Sequence, residues 1–311
     1  MVISDKYLEE TRKKKISDEM IKKDLALSYI LYGMFEDIRE NKNSPFSKLI
    51  FKGGTLLSKS HLKYHRISED LDFTFSENKT LNKLSKFQKR KKIKKYLKEE
   101  FLPNLKKIVD KYSFDFDPLE MENQESKKYC PIKSPVDLAK FYIYISEKDQ
   151  IPIKIEINFC DELFYGLKKS KITHLNPSSE HLIYPLENLE LESYVIEEIL
   201  LEKLRAIITR KESVHERDIY DLFLLSKEDP DPLKIDPREL KNKIIQGIGY
   251  RANKIMEKKH ILELQKRFEE LEKNLEEEIK EMNLTDYDSD KYKKFFNKIK
   301  DFVLSMDFSD L

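Results

Sequence analysis

The chain has 311 residues, 39% of them hydrophobic and 38% charged, enough for one large domain or two ordinary ones with proper cores. Lysine and arginine total 59 against 58 acids, so the net charge of +1 excludes a globally basic nucleic-acid binder while leaving local patches open. Two cysteines, Cys130 and Cys160, exclude a disulfide scaffold and a cysteine-rich zinc site.

The opening stretch MVISDKYLEETRKKK lacks the apolar core of a signal peptide. No apolar run approaches the length a bilayer requires, so a cytoplasmic protein with no membrane partner is expected. Residues 17–40 carry Ile21, Leu25, Tyr29 and Tyr32 at helical spacing. After the polar break NKNSP, Leu49-Ile50-Phe51 reads as a short strand ending at Gly53-Gly54, and Thr55 to Tyr64 resumes a helical pattern. Leu71, Phe73 and Phe75 then alternate as a strand should.

Residues 79–111 hold thirteen Lys/Arg and three Asp/Glu, a local charge of +10, on a rough helical pattern. The spacing predicts a basic helical insertion. Its surface can guide an RNA backbone or simply be solvated, and Phe87, Tyr96 and Phe101 suit base contacts or the core equally well. A short strand is expected at 113–116. Residues 137–146 and 151–160 are predicted to form a hairpin through EKDQ. His61 and His65 have no companions at metal-ligand spacing and are expected on the surface. Beyond Tyr184-Pro185 the pattern is helical, at 195–210, 216–226, 237–257, 259–283 and 290–306. Leu264, Phe268, Leu271 and Leu275 form a narrow stripe suited to intramolecular packing. The expected architecture is α+β: a mixed-sheet domain over 1–185 carrying the insertion, then an all-α domain over 186–311.

Two residues apart on a strand means one face, so Asp70 and Asp72 project together while Leu71 and Phe73 face the core. Their mutual repulsion invites a divalent cation, Mg²⁺ or Mn²⁺, which prefers hard oxygen ligands and leaves positions open for phosphate. An exposed strand face is the plain alternative. In IPIKIEINF the isoleucines take one face, leaving Lys154, Glu156 and Asn158 on the other. If that strand pairs near 69–75, Glu156 becomes a third carboxylate, and three acids on two strands suit a two-metal site. Gly53-Gly54 follows a strand and opens a helix. Backbone there can approach phosphates closely, with Thr55 and Ser58 as hydroxyl donors. No P-loop or G-x-G-x-x-G is present. In the helix at 195–210, Lys203 lies inside the apolar arc of Ile196, Ile199, Leu200, Leu204 and Ile207, so it must snorkel out or meet an anion. Asp218 and Asp221 stand one turn apart in HERDIYDLF.

KGGTLLSK followed by HRISEDLDFTF resembles the signature of the AbiEii/AbiGii nucleotidyltransferase toxin family, within the DNA polymerase β-like nucleotidyltransferase superfamily. ILLEKLRAIITR and RDIYDLFLL continue the resemblance in order, so it covers about 50–225 and leaves the insertion and the tail after 230 unmatched. It implies a polymerase β-like core and transfer of NMP from an NTP to an acceptor hydroxyl. It further implies a toxin–antitoxin or phage-defence role, the tRNA 3′ end as acceptor, and a cognate antitoxin. On the same ground Lys203 touches the nucleotide, Arg66 and Ser68 lie against phosphate, and Asp218 or Asp221 is essential. Protein nucleotidylation, a non-catalytic nucleotide-binding scaffold and a metal-dependent glycosyltransferase are the competing readings. The last has no need of a Gly-Gly corner upstream of its acids.

Overall fold

The computed structural model describes residues 3–14, 16–62, 64, 67–115, 138–145, 151–176, 179–186, 189–210, 213–227, 236–248, 258–281 and 288–306. The chain divides into two compact units. The first comprises residues 1–161 and 167–193; the second comprises 162–166 and 194–311.

The first unit is built on a six-stranded mixed sheet, β1 (Leu49–Lys52), β2 (Asp70–Phe75), β3 (Leu138–Tyr144), β4 (Pro152–Asn158), β5 (Leu167–Ile172) and β6 (Leu189–Tyr194), in the order β3-β4-β2-β1-β6-β5. β2 runs antiparallel to β1 and parallel to β4, and β3–β4 is the expected antiparallel hairpin. The EKDQ turn of that hairpin lies outside the described residues. Of the strand expected at 113–116, a single bridge forms: Asp115 and Tyr144 exchange backbone hydrogen bonds at 2.8 and 3.0 Å.

Alternation sorts the central strands. Leu71 and Phe73 of β2, Ile153, Ile155 and Ile157 of β4, and Ala139, Phe141 and Ile143 of β3 are all buried. Their intervening neighbours are half-exposed or polar. The apolar face needs a cover, and the basic stretch supplies it. There, α4 (Asn78–Asn82), α5 (Lys86–Lys95), a π-type turn (Tyr96–Phe101) and α6 (Leu102–Lys111) follow one another. Ser85 caps α5 in a reciprocal box with Gln88. Tyr96 and Phe101 are buried, with Tyr96 against Phe75 and Phe159 and Phe101 against Phe141. The insertion is therefore part of the core on its apolar side. Phe87 is the exception, 79% exposed among lysines.

α1 (Asp5–Arg12) and α2 (Asp18–Glu40) precede the sheet. Ser17 caps α2, which is buried at Ile21, Leu25, Ala26, Leu27, Tyr29, Ile30, Leu31 and Met34, nearly all round. Gly33 lets α6 approach, since a Cβ there would sit 2.5 Å from Ile108. The helix also carries Asp24, whose carboxylate accepts from Lys59 at 2.5 Å. Lys59 is 1% exposed and donates to Ser28 (2.9 Å) and the Tyr64 hydroxyl (2.8 Å) as well. Burial pulls the Lys59 pKa below its ordinary value, and Asp24 opposes the shift.

The second unit is helical: α7 (Ile196–Thr209), α8 (Glu216–Leu225), α9 (Pro237–Ile248), α10 (Lys258–Glu281) and α11 (Ser289–Leu304). Residues 249–257 and 282–283 of the expected helices lie outside the described residues. Leu264, Phe268, Leu271 and Leu275 are buried, and Phe268 meets Phe296 edge-on. Phe223 packs against Tyr292 and Phe295, and Tyr292 donates to Glu216 at 2.6 Å. Glu198 accepts the backbone N–H groups of Phe164 and Tyr165, fastening the 162–166 segment to α7. No helix among the described residues is long and apolar enough to cross a membrane.

Removing one partner of the buried Lys59–Asp24 pair strands a charge. Asp24→Ala is expected to cost about 3–5 kcal/mol in urea unfolding. The double variant Asp24→Leu, Lys59→Met should recover most of that loss. Equal losses in the single and double variants would show that packing, not charge, holds the pair's place.

Candidate active site

The site begins where β1 ends. Gly53 has φ +77°, a left-handed conformation that favours glycine. Space allows no other residue either, because a Cβ there would lie 2.3 Å from Oδ2 of Asp72. The chain turns at this corner into α3 (Gly53–Leu56), which continues as a π-type turn, Leu57–His61. Thr55 is buried and donates its hydroxyl to the Asp70 carbonyl, tying the helix start to the first residue of β2. Ser58 is buried beneath the turn. Ser68 is half-buried, and Arg66 and His65 lie outside the described residues. His61 departs from its expected surface position. It is half-buried with Nε2 lacking a hydrogen bond, and burial followed by the Lys168 charge pushes its pKa down to about 4.

β2 presents Asp70 and Asp72 on the face opposite Leu71 and Phe73. The parallel register with β4 sets Asp70 beside Lys154 and Asp72 beside Glu156. Residues opposite each other in a sheet share a face, so the row through Asp72 reads Lys52, Asp72, Glu156, Lys140 across four strands. Lys154 Nζ stands 2.6 Å from Asp70 Oδ2 and 3.1 Å from Glu156 Oε1. Lys140 donates to the same Glu156 oxygen. Burial works against the Lys154 ammonium, yet Asp70 and Glu156 hold its pKa above the ordinary lysine range. Burial likewise works against the Glu156 carboxylate, which Lys140 and Lys154 nevertheless draw below its usual pKa. At the edge of the site Lys52 pairs with Asp161 at 2.7 Å, both nearly buried.

Asp70 and Asp72 supply the same-face oxygen donors that Mg²⁺ or Mn²⁺ takes, and both remain half-accessible. Glu156 stands beside Asp72 on the adjacent strand but is engaged by two lysines. Among the described residues no three His, Cys, Asp or Glu side chains form a group able to hold a metal ion. Lys52, Lys140 and Asp161 are members of this polar cluster that sequence reasoning did not single out. The only signal for Lys140 is its register against Glu156, which requires the fold.

In the helical unit Lys203 meets its anion: Nζ lies 2.8 Å from Asp218 and 2.7 Å from Asp221. Arg210 donates to the other Asp218 oxygen. Asp221 is fully buried and Asp218 nearly so. Burial alone would raise the Asp218 pKa, but Lys203 and Arg210 together bring it down to about 2. The cations that hold these acids come from α7 and the residue that caps its end.

A glycine corner thus opens a helix beside a strand with two same-face aspartates, and the family match identifies the chain as a nucleotidyltransferase. It belongs to the AbiEii family: residues 39–311 match the family model described as nucleotidyl transferase AbiEii toxin of type IV toxin–antitoxin systems. The match runs through the basic insertion and the C-terminal helices, well beyond the 50–225 over which the motifs are recognisable. Among solved structures, the chain is similar to MenT4, a nucleotidyltransferase toxin from Mycobacterium tuberculosis H37Rv, with 13% identity and a TM-score of 0.49 over 98% of this chain and 91% of that one. No curated protein matches the sequence.

Two outcomes follow from the geometry. Gly53→Ala forces both a strained φ and a collision with Asp72, so transfer activity should fall at least about 100-fold, with about 1–2 kcal/mol lost in unfolding. An active Gly53→Ala protein would show that the corner is only a turn. The depressed Asp218 pKa makes its ionised form favour the fold. That contribution, about 2 kcal/mol, is present above pH 4 and lost as pH falls toward 2. Asp218→Asn should be less stable at pH 7 and show a flatter stability profile between pH 4 and 2.

Proposed function

We propose that this toxin moves a nucleoside monophosphate from an NTP onto a hydroxyl of an RNA acceptor, the tRNA 3′ end being the best candidate, and that it requires Mg²⁺ or Mn²⁺. The observation that carries the reading is the pairing of Asp70 and Asp72 on one face of β2 against the Gly53 corner. Asp70 and Asp72 would hold the divalent ion, which when bound neutralises phosphate charge and makes a hydroxyl more acidic. Backbone N–H groups at Gly53 and Gly54 receive the phosphates, with Arg66 and Ser68 as further contacts. Thr55 acts one step back, because its hydroxyl is given to the Asp70 carbonyl. The acceptor hydroxyl gives up its proton to solvent water and forms the new O–Pα bond as the bond from Pα to the departing pyrophosphate breaks. Such chemistry rests on positioning and charge stabilisation.

Asp218 is a poor base at a pKa of about 2, so its part is to hold Lys203 and Arg210 in place within the helical unit. Lys203, which the resemblance sets on the nucleotide, is in this reading first the counter-ion of Asp218 and Asp221.

RNA is favoured over protein as acceptor by the surface of α5. Lys86, Lys91, Lys92, Lys94 and Lys95 are exposed around the exposed ring of Phe87. Cations beside an unsupported aromatic ring suit a single strand, whose backbone is neutralised while a base stacks. Membership of a type IV toxin–antitoxin family also supports a cognate antitoxin as partner.

The test is a labelling assay with each NTP radiolabelled at the α-phosphate, total RNA and lysate protein, in Mg²⁺ or Mn²⁺. Label is expected on RNA and should drop at least about 100-fold in Asp70→Asn and Asp72→Asn. Label on protein instead would replace the RNA reading. The quadruple variant Lys91→Glu, Lys92→Glu, Lys94→Glu, Lys95→Glu should fold normally, bind tRNA more weakly and flatten the salt dependence of log Kd by about 2–3. An unchanged salt slope would remove α5 from the RNA path.

A further inference from the structure

The polar face of the central strands carries three acids, Asp70, Asp72 and Glu156, and two lysines, Lys140 and Lys154, in two neighbouring same-face register rows. A two-ion site would bring four further positive charges to these groups. Lys154 already bridges Asp70 and Glu156 at 2.6 and 3.1 Å, and Lys140 holds Glu156 from the other side. Glu156 is the less accessible of the bridged acids, and both Lys140 and Lys154 are within ion-pair distance of its Oε1. A second divalent ion placed by Glu156 would have to displace a bound ammonium and then sit beside it. Like charges at such a distance repel strongly in a half-buried setting.

We propose that Lys154 is the second cation of this site: the protein takes one divalent ion, on Asp70 and Asp72, and Lys154 supplies the other positive charge. This rests on the metal-dependent reading above and goes beyond it, because it replaces the expected three-acid, two-ion arrangement by a two-acid, one-ion, one-lysine arrangement. Lys154 shares its face with Asp70 one register step from Asp72, so its ammonium lies among the groups that meet the substrate phosphates. Lys140 keeps Glu156 occupied when Lys154 turns toward phosphate.

The experiment counts Mn²⁺ bound per chain by electron paramagnetic resonance, with a saturating NTP analogue carrying a methylene bridge between the α and β phosphates. Wild type, Lys154→Met, Lys154→Arg and Asp70→Asn are compared, each checked for folding by circular dichroism. One Mn²⁺ is expected in wild type and in Lys154→Arg. Lys154→Met should bind a second ion or bind Mn²⁺ at least about tenfold more tightly. Asp70→Asn should lose the tight ion. Two ions in wild type would overturn the proposal and leave metal dependence standing. One ion of unchanged affinity in Lys154→Met would overturn it too, since the lysine would then be indifferent to the metal. No bound ion in any protein would overturn it together with the metal-dependent reading.

Discussion

The two-residue period of an extended chain is the constraint on which the site depends. A strand that must bury Leu71, Phe73 and Phe75 against covering helices has only its opposite face for Asp70 and Asp72, and sends them there together. Two carboxylates so close are unstable company without positive charge, so the neighbouring strands have to answer them. β4 answers with Lys154 and β3 with Lys140, while Glu156 between them keeps the row from becoming cationic. The Gly53 corner obeys the same constraint from the other side. Asp72 takes the space that any side chain at 53 would need, so the corner and the acid specify each other.

A second theme is that motif lysines serve the fold before they serve a ligand. Lys59, in KGGTLLSK, is buried and bound to Asp24 of α2; Lys203, in EKLRA, is bound to Asp218 and Asp221 of α8. Each carries a charge that burial penalises and a carboxylate partner compensates. Replacing either lysine therefore changes the core and any ligand contact at once. Loss of activity on its own does not assign such a residue to the nucleotide. Stability and activity have to be read together.

β2, β3 and β4 were legible because they alternate cleanly: Ile153, Ile155 and Ile157 against Lys154 and Glu156 leave little freedom in which face is buried. By contrast, β5 was not foreseen, and β6 (Leu189–Tyr194) corrects the expectation of helix throughout beyond Pro185. The hairpin and the helices α2, α7, α8, α10 and α11 announced themselves by period. What the sequence did not disclose were the long-range partners. That Glu156 would stand beside Asp72 followed from the assumed strand pairing, but its capture by Lys140 depends on the register of a third strand. Likewise Lys203 was visible as a charge on an apolar arc, and its need of an anion was clear, but its choice of both Asp218 and Asp221 required the packing of α8 on α7. His61 was misjudged because a lone histidine reads as surface, whereas the π-type turn after Gly53 carries its ring inward. The basic insertion was legible as helical and as part of the first domain, but that Tyr96 and Phe101 turn inward to the core required the fold.

That double character decides how the insertion is to be understood. An α-helix has two sides, and here they answer to different solvents. Ile93, Tyr96, Leu97 and Phe101 close the apolar face of the sheet, which fixes where α5 sits relative to β2 and β4. Lys86, Lys91, Lys92, Lys94 and Lys95 are then exposed as a consequence of that packing, while Lys89 is buried against Asn82. A capping box starts α5, and Lys92, Lys94 and Lys95 in its last turn suit the negative end of the helix. Ten excess positive charges on a covering element raise self-repulsion, relieved in part by Lys89 donating to Asn82 and by the Lys111–Glu36 and Lys106–Asp110 pairs. An exposed Phe87 in their midst adds an apolar surface that folding does not bury. Both features support the proposal of a nucleic-acid acceptor, because exposed cations and an exposed aromatic ring suit a polyanion with stackable bases.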